Sequence, residues 1–147
     1  MKKIVKIKKL NKNAMMPTKG SQFSAGFDLY ACIEKPVEIN PNETIKIPTG
    51  LAIELPIGYA GFIFARSGIS TKKNLAPANK VGVCDCDYRG EYIVPLHNHG
   101  KTIQKINPND RIAQLVILPY LNASFVETKE ELKKTSRGKN GFGSTGT

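Results

Sequence analysis

Apolar and polar residues alternate with a period of two in several short stretches of this chain. Residues 5–8, 45–47 and 51–55 show the pattern, and turn-forming residues such as Pro56 and Gly58 separate such stretches at short intervals. A period of two places alternate side chains on opposite faces of a strand, so these stretches predict half-buried β-strands. Short strands with frequent turns are typical of a sandwich or barrel, and we therefore predict an all-β fold.

Few segments depart from this pattern. Residues 112–118 are apolar except for Gln114, which predicts a strand buried on both faces whose amide needs partners or serves a site. Helical turns are plausible only at residues 69–74 and 127–134, and neither segment has a clear apolar stripe. The sequence has no internal repeat.

Length and composition limit the class of protein. A chain of 147 residues is near the commonest size for one domain. Lysines interrupt every stretch of the N-terminus that could form the apolar region of a signal peptide, and no run of about 18 apolar residues exists to span a bilayer. We expect a cytoplasmic protein, or a nuclear one if the source is eukaryotic or viral, with no membrane partner.

Charge and cysteine content indicate the kind of partner and the kind of compartment. The net charge of +10 implies an anionic partner, although six of the 22 basic residues lie in the first twelve positions and are also expected of a solvated edge strand protected by lysines. Cys32, Cys84 and Cys86 are an odd number without the spacing of a disulfide framework. This pattern is typical of a reducing compartment.

The segment DCDYRGE at residues 85–91 is the first candidate for chemistry. Its alternate carboxylates suggest a cation loop, but Arg89 and Leu96 occupy positions where an EF-hand needs oxygen ligands. The simplest interpretation is a hairpin with a polar tip. Arg66, Ser67 and Gly68 follow an aromatic strand, so a guanidinium, a hydroxyl and an open backbone N–H could converge on a phosphate, although such a tripeptide is more often a plain turn.

Two further groups carry weaker signals. His97 and His99 would share one strand face, but with no third ligand nearby we assign them no metal. The last eleven residues, RGKNGFGSTGT, combine a basic residue, four glycines, hydroxyls and one aromatic ring. This is the chemistry of a phosphate cradle with a base-stacking group, although the spacing of a Walker loop is absent and a disordered tail has the same composition.

Taken together and in order, these segments resemble the five motifs of the trimeric dUTPase family. The matching segments are AGFDLYA (25–31), ARSGIS (65–70), GVCDCDYRGEY (82–92), RIAQLVI (111–117) and RGKNGFGSTG (137–146). The resemblance implies a distorted jelly-roll, or β-clip, domain at residues 1–136 and a flexible C-terminal arm at residues 137–147. It also implies a homotrimer with three active sites at subunit interfaces, which hydrolyses dUTP to dUMP and pyrophosphate with Mg²⁺. This activity limits uracil in DNA and supplies dUMP.

The resemblance also implies a role for each matching residue. Asp85 would orient and deprotonate the attacking water, and the ring of Tyr88 would lie under the deoxyribose and exclude a 2′-hydroxyl. The uracil edge would be read by Asn79 and by the segment that contains Gly82, Val83, Cys84 and Ile93. The phosphates would contact Arg66, Ser67 and Gly68, Gln114 through water, and Arg137, Gly143 and Ser144, while Phe142 would cover the uracil.

Metal binding would depend mainly on the substrate. The resemblance implies that Mg²⁺ is held by the three phosphates and water, in keeping with its general preference. Asp28 would lie near the metal or the interface, and would contact the metal at most through water. Cys84 and Cys86 depart from the aliphatic and the small or acidic residues usual at these positions, which raises thiol sensitivity as a possibility.

Two alternatives remain for the sequence. A dCTP deaminase shares the fold, but its motif-three glutamate and second motif-two arginine would fall on Pro95 and Thr71, which removes its base. A non-catalytic basic β-module that binds single-stranded nucleic acid would need exposed aromatic rings along a cationic groove and would lose affinity steeply with salt. We expect no stable nucleic-acid complex.

Overall fold

The computed structural model describes residues 4–141, and these residues form antiparallel β-sheets and one short helix. In chain order the elements are β1 (Lys6–Lys9), β2 (Phe27–Tyr30), β3 (Val37–Ile39), β4 (Thr44–Glu54), β5 (Tyr59–Phe64), α1 (Ser67–Lys73), β6 (Leu75–Pro77), β7 (Gly82–Cys84), β8 (Glu91–Asn98), β9 (Gln104–Ile106) and β10 (Arg111–Pro119). The prediction of an all-β fold is confirmed.

The strands form two four-stranded sheets and one small ribbon. The first sheet has the order β1-β4-β8-β6, the second has the order β2-β10-β5-β7, and β3 pairs with β9. Strand β8 shows how the alternation builds the core, because Tyr92, Val94 and Leu96 are buried while Ile93 between them is exposed. The inward residues of both sheets form one hydrophobic cluster, so the sheets pack against each other.

The lysine-rich N-terminal strand lies at the edge of the first sheet. Within the described residues β1 pairs only with β4, in a register that places Lys6 opposite Glu54 at 3.4 Å. Lysines on an edge strand oppose further strand pairing. The interpretation of this segment as a protected edge strand is therefore confirmed.

Three sequence predictions differ from the structure. Helix α1 spans Ser67–Lys73 and ends at Asn74, whose φ of 53° closes it in the left-handed region, whereas residues 127–134 form no helix. Strand β10 is buried at Ile112, Ala113 and Leu115, but its second half is half-buried and then exposed. The second sheet therefore has one covered face at its centre rather than two.

The third difference concerns residues 82–93, which we expected to form a hairpin. Strand β7 pairs with β5 in the second sheet, whereas β8 pairs with β4 and β6 in the first. The segment between them crosses from one sheet to the other. Asp85 and Asp87 both lie in this crossing turn and not on a strand.

Regular structure ends early in the chain. Strand β10 ends at Pro119, and residues 120–140 are exposed without helix or strand. Apolar side chains along this segment are among the most exposed of the described residues, notably Leu121, Phe125 and Val126. In the described part of the chain no helix has the length and apolar character to cross a membrane.

Candidate active site

A small pocket lies at the open end between the two sheets, where β7 leaves one sheet and β8 enters the other. Its volume is about 240 Å³, and it is lined by Ile63, Asn79, Gly82, Val83, Cys84, Asp85, Tyr88, Glu91, Tyr92 and Ile93. All six described residues that the resemblance placed around the uracil and the sugar line it, and so does Asp85. The crossing between sheets brings together residues that an ordinary hairpin would spread along a ladder.

The ring of Tyr88 is held at the mouth of this pocket. It is 44% exposed, and its hydroxyl donates a hydrogen bond to the carbonyl oxygen of Glu91 at 3.1 Å. Gly90 lies directly behind the ring, and a Cβ atom there would overlap it. The backbone N–H of Tyr88 also donates to the Asp85 carbonyl at 3.2 Å, so the ring and the carboxylate share one turn.

Asn79 reaches the same pocket from the turn before β7. The N–H of Ala78 bonds to the Pro95 carbonyl at 2.7 Å, and Lys80 takes a φ of 64°, which reverses the chain. The side-chain amide of Asn79 lies 3.0 Å from where a Cβ of Gly82 would be, so a larger residue there would crowd the amide. This packing places an amide, which can both donate and accept, against the pocket wall.

Tyr92 forms the floor of the pocket and is almost fully buried. Within residues 4–141 its hydroxyl has no hydrogen-bond partner of good geometry. Burial raises the pKa of Tyr92 well above its ordinary value, and the neighbouring Cys84 thiol adds to that shift. Burial likewise raises the pKa of Cys84, so this thiol is protonated and poorly nucleophilic at neutral pH.

A second, larger cleft carries the arginines. Its volume is about 580 Å³, and it is lined by Gly20, Ser24, Ala25, Gly26, Asp28, Phe64, Ala65, Arg66, Ser67, Arg111, Gln114 and Val116. Arg66 donates from Nε to Asp28 Oδ1 at 2.6 Å and from Nη2 to Oδ2 at 3.3 Å, and Arg111 Nη1 lies 3.4 Å from Oδ2. One carboxylate therefore aligns two guanidinium groups, leaving an excess of positive charge suited to phosphate.

Gln114 is fixed at the centre of this cleft. Its Nε2 donates to the carbonyl oxygen of Ala65 at 2.8 Å, and its Oε1 lies where a side chain on Gly26 would be. The half-buried amide thus has the partner that its apolar strand led us to expect. The bond also ties β10 to the residue just before Arg66.

Ser67 and Gly68 begin helix α1 directly after Arg66. Gly68 lies in the first turn of α1, which has no side-chain cap, so its backbone N–H has no acceptor within the helix. The hydroxyl of Thr71 donates to the Ser67 carbonyl at 2.6 Å and holds the turn. A hydroxyl and an open N–H therefore stand beside the arginine, as the motif predicted.

The pocket and the cleft face in different directions. Ile63 and Phe64 are consecutive residues of β5, and the first lines the pocket while the second lines the cleft. Consecutive strand residues point to opposite faces of a sheet. Gln114 is paired with both Phe64 and Asp28, which places the cleft on the outer face of the second sheet.

The structure gives no site role to the remaining sequence candidates. The rings of His97 and His99 lie 4.4 Å apart, but His97 Nδ1 already contacts Thr44 Oγ1 at 2.8 Å, and the described residues contain no group of three metal-binding side chains. Arg137 is exposed and bonds to the Asn140 carbonyl. Phe142, Gly143 and Ser144 lie outside the described residues.

Several residues in these sites were missed from the sequence. Arg111 opens the fourth motif and Gly26 lies in the first, so their neighbours in sequence were a signal that could have found them. Glu91 and Tyr92 close the third motif, but their residue types suggested no role, because their position depends on how β8 pairs with β4. A carboxylate after a turn and a buried aromatic residue are both ordinary features of a strand.

An exposed ring beside a polar pocket, together with an arginine-lined cleft, is the arrangement of a nucleotide-binding β protein. The family model described as dUTPase matches residues 12–146. The chain belongs to the dUTPase family.

Relatives and solved structures agree with this assignment. The chain is 46% identical over 145 residues to the deoxyuridine 5′-triphosphate nucleotidohydrolase of Desulfitobacterium hafniense, covering 98% of this chain and 95% of that protein. It is 43% identical over 142 residues to the enzyme of the same name from Syntrophotalea carbinolica, covering 97% of this chain and 96% of that protein. The Staphylococcus bacteriophage 80alpha dUTPase with dUpNHpp has a TM-score of 0.91 at 28% identity, covering 99% of this chain and 100% of that one. A mutant dUTPase of S. aureus phage phi11, described as revealing the coordination of a structural Mg(II) ion, has a TM-score of 0.79 at 25% identity, covering 87% and 98%. The jelly-roll prediction is confirmed by these neighbours.

Proposed function

We propose that this protein hydrolyses dUTP to dUMP and pyrophosphate. The observation that carries the proposal is the single pocket in which Asn79, Asp85 and Tyr88 meet, next to a sheet whose other face carries paired arginines. Membership of the dUTPase family and relatives named for this activity support it. The deaminase and nucleic-acid alternatives have no comparable support.

Asp85 is the group we assign to the attacking water. The water attacks the α-phosphorus, the bond between this phosphorus and the bridging oxygen breaks, and pyrophosphate leaves in line with the incoming oxygen. The carboxylate accepts a hydrogen bond from the water and takes its proton as the new bond forms. The ring of Tyr88, three residues along the same turn, would lie against the sugar and leave no room for a 2′-hydroxyl.

We assign the binding of the phosphates to the second, arginine-lined cleft. Arg66 keeps N–H donors beyond those that Asp28 accepts, and Ser67 and the Gly68 N–H stand beside it. Both oxygens of Asp28 face guanidinium groups, so this carboxylate suits a water-mediated contact with Mg²⁺ and not a direct bond. Mg²⁺, held by the phosphates and water, would neutralise charge on the departing pyrophosphate.

The homotrimer that the family resemblance implies is consistent with the same geometry. One molecule of dUTP cannot use the pocket and the cleft of a single chain, because these open on different faces at β5. A pocket from one subunit and a cleft from another would complete a site. The exposed Leu121, Phe125 and Val126 provide apolar surface for such contacts, and residues 137–147 would close over the bound nucleotide.

The test is pyrophosphate release with Mg²⁺ from dUTP, UTP, dTTP and dCTP at equal concentrations. We expect strong preference for dUTP, since the 2′-hydroxyl and the 5-methyl group are rejected by contact. Equal turnover of UTP would contradict the assignment. Sedimentation at micromolar concentration should give three times the 16.1 kDa of one chain, and a monomer or stable dimer would contradict the composite site.

A further inference from the structure

Strand β4 contains an irregularity directly opposite the start of β8. The register between the two strands shifts between Pro48 and Ala52, which are paired with Ile93 and Glu91. Gly50 within this bulge has a φ of 69°, and a Cβ there would meet Ala14 and Cys32 at 2.8 Å each. The bulge is therefore packed tightly and requires glycine.

Two side chains close this bulge onto β8. The buried Thr49 hydroxyl donates to the Tyr92 carbonyl at 2.6 Å, and the Gly50 N–H donates to Glu91 Oε1 at 2.7 Å. The bond to Gly50 places the Glu91 carboxylate against β4. Two side-chain bonds to the bulge therefore hold the first two residues of β8, Glu91 and Tyr92.

Glu91 is also held on its other side, by a residue of the pocket. The Tyr88 hydroxyl donates to the Glu91 carbonyl, while Gly90 leaves space for the ring. Glu91 therefore connects the bulge, through its carboxylate, to the ring of Tyr88, through its carbonyl. Displacing Glu91 would remove the anchor of the one aromatic ring at the mouth of the pocket.

We propose that Glu91 is a positioning residue for sugar discrimination: by binding the Gly50 N–H it fixes the carbonyl that anchors Tyr88. The inference rests on the proposed function, in which Tyr88 excludes the 2′-hydroxyl. Glu91 itself touches no reacting atom. Its loss should therefore change the preference between deoxyribose and ribose more than the chemistry of hydrolysis.

The experiment compares Glu91→Ala with Glu91→Gln by measuring kcat/KM for dUTP and for UTP. Alanine removes the acceptor, and we expect the ratio of the two kcat/KM values to fall about tenfold or more as the ring gains freedom, the scale of a changed steric contact. Glutamine keeps the Oε1 acceptor and should restore most of the ratio. Calorimetry of dUMP and UMP binding should show the same loss of discrimination without turnover.

Two further variants guard against a general loss of stability. Thr49→Val removes the other bond of the bulge and should also lower the ratio, so it carries the test if Glu91→Ala does not fold. Thr44→Val removes a bond between β4 and β8 at the far end of the same strand pair, where Thr44 contacts His97, and should leave the ratio unchanged.

The possible outcomes distinguish a positioning role of Glu91 from a purely structural one. A lower melting temperature with an unchanged ratio in Glu91→Ala and Thr49→Val would show a purely structural bulge and overturn the inference. Equal losses in alanine and glutamine variants would also overturn it, because glutamine retains the bond. Failure of the wild-type protein to prefer dUTP would instead overturn the proposed function, and the two failures are therefore distinguishable.

Discussion

Replacing Tyr92 by phenylalanine should stabilise the protein. The hydroxyl is buried and lacks a partner of good geometry within the described residues, and its polar neighbour, the Cys84 thiol, is a weak acceptor. An unsatisfied buried hydroxyl costs about 1–3 kcal/mol, and partial compensation by the thiol places the gain near the lower end, about 1 kcal/mol. A gain of that size raises the melting temperature by about 2–4 °C in a chain of this length.

The gain should grow at alkaline pH. Because the folded-state pKa of Tyr92 is raised, the stability linked to its protonated form is fully present below the unfolded pKa of about 10 and is lost as pH rises through the folded pKa. Phenylalanine cannot ionise, so the difference between variant and wild type should widen above about pH 10.

The assay is thermal unfolding followed by circular dichroism at pH 7 and pH 11, at one protein concentration. Tyr30→Phe is the matched control, because the Tyr30 hydroxyl bonds to the Thr18 hydroxyl, and its loss should be neutral or destabilising. The reasoning is refuted if Tyr92→Phe melts below the wild type at pH 7, or if its advantage is the same at both pH values.

Three further substitutions and one deletion test the assigned roles. Asp85→Asn should lower kcat by roughly 100-fold or more, the scale of a positioned general base, with dUTP binding retained; Asp87→Asn should cost much less, and equal losses in single-turnover hydrolysis would show that the wrong carboxylate was chosen. Deleting residues 137–147 should leave a folded assembly with little activity, so full activity of the truncated protein would remove the arm from the mechanism. Gly26→Ala should displace the Gln114 amide and raise the KM for dUTP without abolishing folding, which steady-state kinetics and circular dichroism would reveal; unchanged kinetics would mean that Gln114 does not contact the phosphates.

Local patterns predicted the strands well because burial on one face leaves a period of two in the sequence. Strand β8 is an example, since its buried and outward residues alternate through Leu96. Residues 127–134 misled us because charge and the absence of turn residues resemble a helix, whereas a helix without a packed apolar face has little to stabilise it. The crossing at residues 82–93 was unpredictable for a different reason: pairing partners are chosen by the whole sheet, and a short turn between two strands is compatible with either arrangement.

The same contrast between local sequence patterns and three-dimensional pairing applies to the site. The family motifs singled out Asp85, Tyr88 and Arg66 as candidates, because their chemistry and order are visible in the sequence. Glu91 lies in the third motif as well, but the role we propose for it was not visible there, since it arises from a bulge in β4 that lies some forty positions earlier in the chain. Side chains that touch substrate carry a signal in their own type, whereas residues that hold them carry one only in three dimensions.

If the proposed site assignments hold, the division between pocket and cleft gives a reason for this small β-domain to act as an assembly. The crossing from β7 to β8 opens a pocket between the sheets, and the same crossing leaves β5 as a wall between that pocket and the arginines on the outer face. In the proposed mechanism, one chain therefore offers base recognition and phosphate recognition on different faces. Assembly of identical chains resolves this without new residues, because the pocket of one subunit can face the cleft of the next, and closure by rotation repeats the site at every interface.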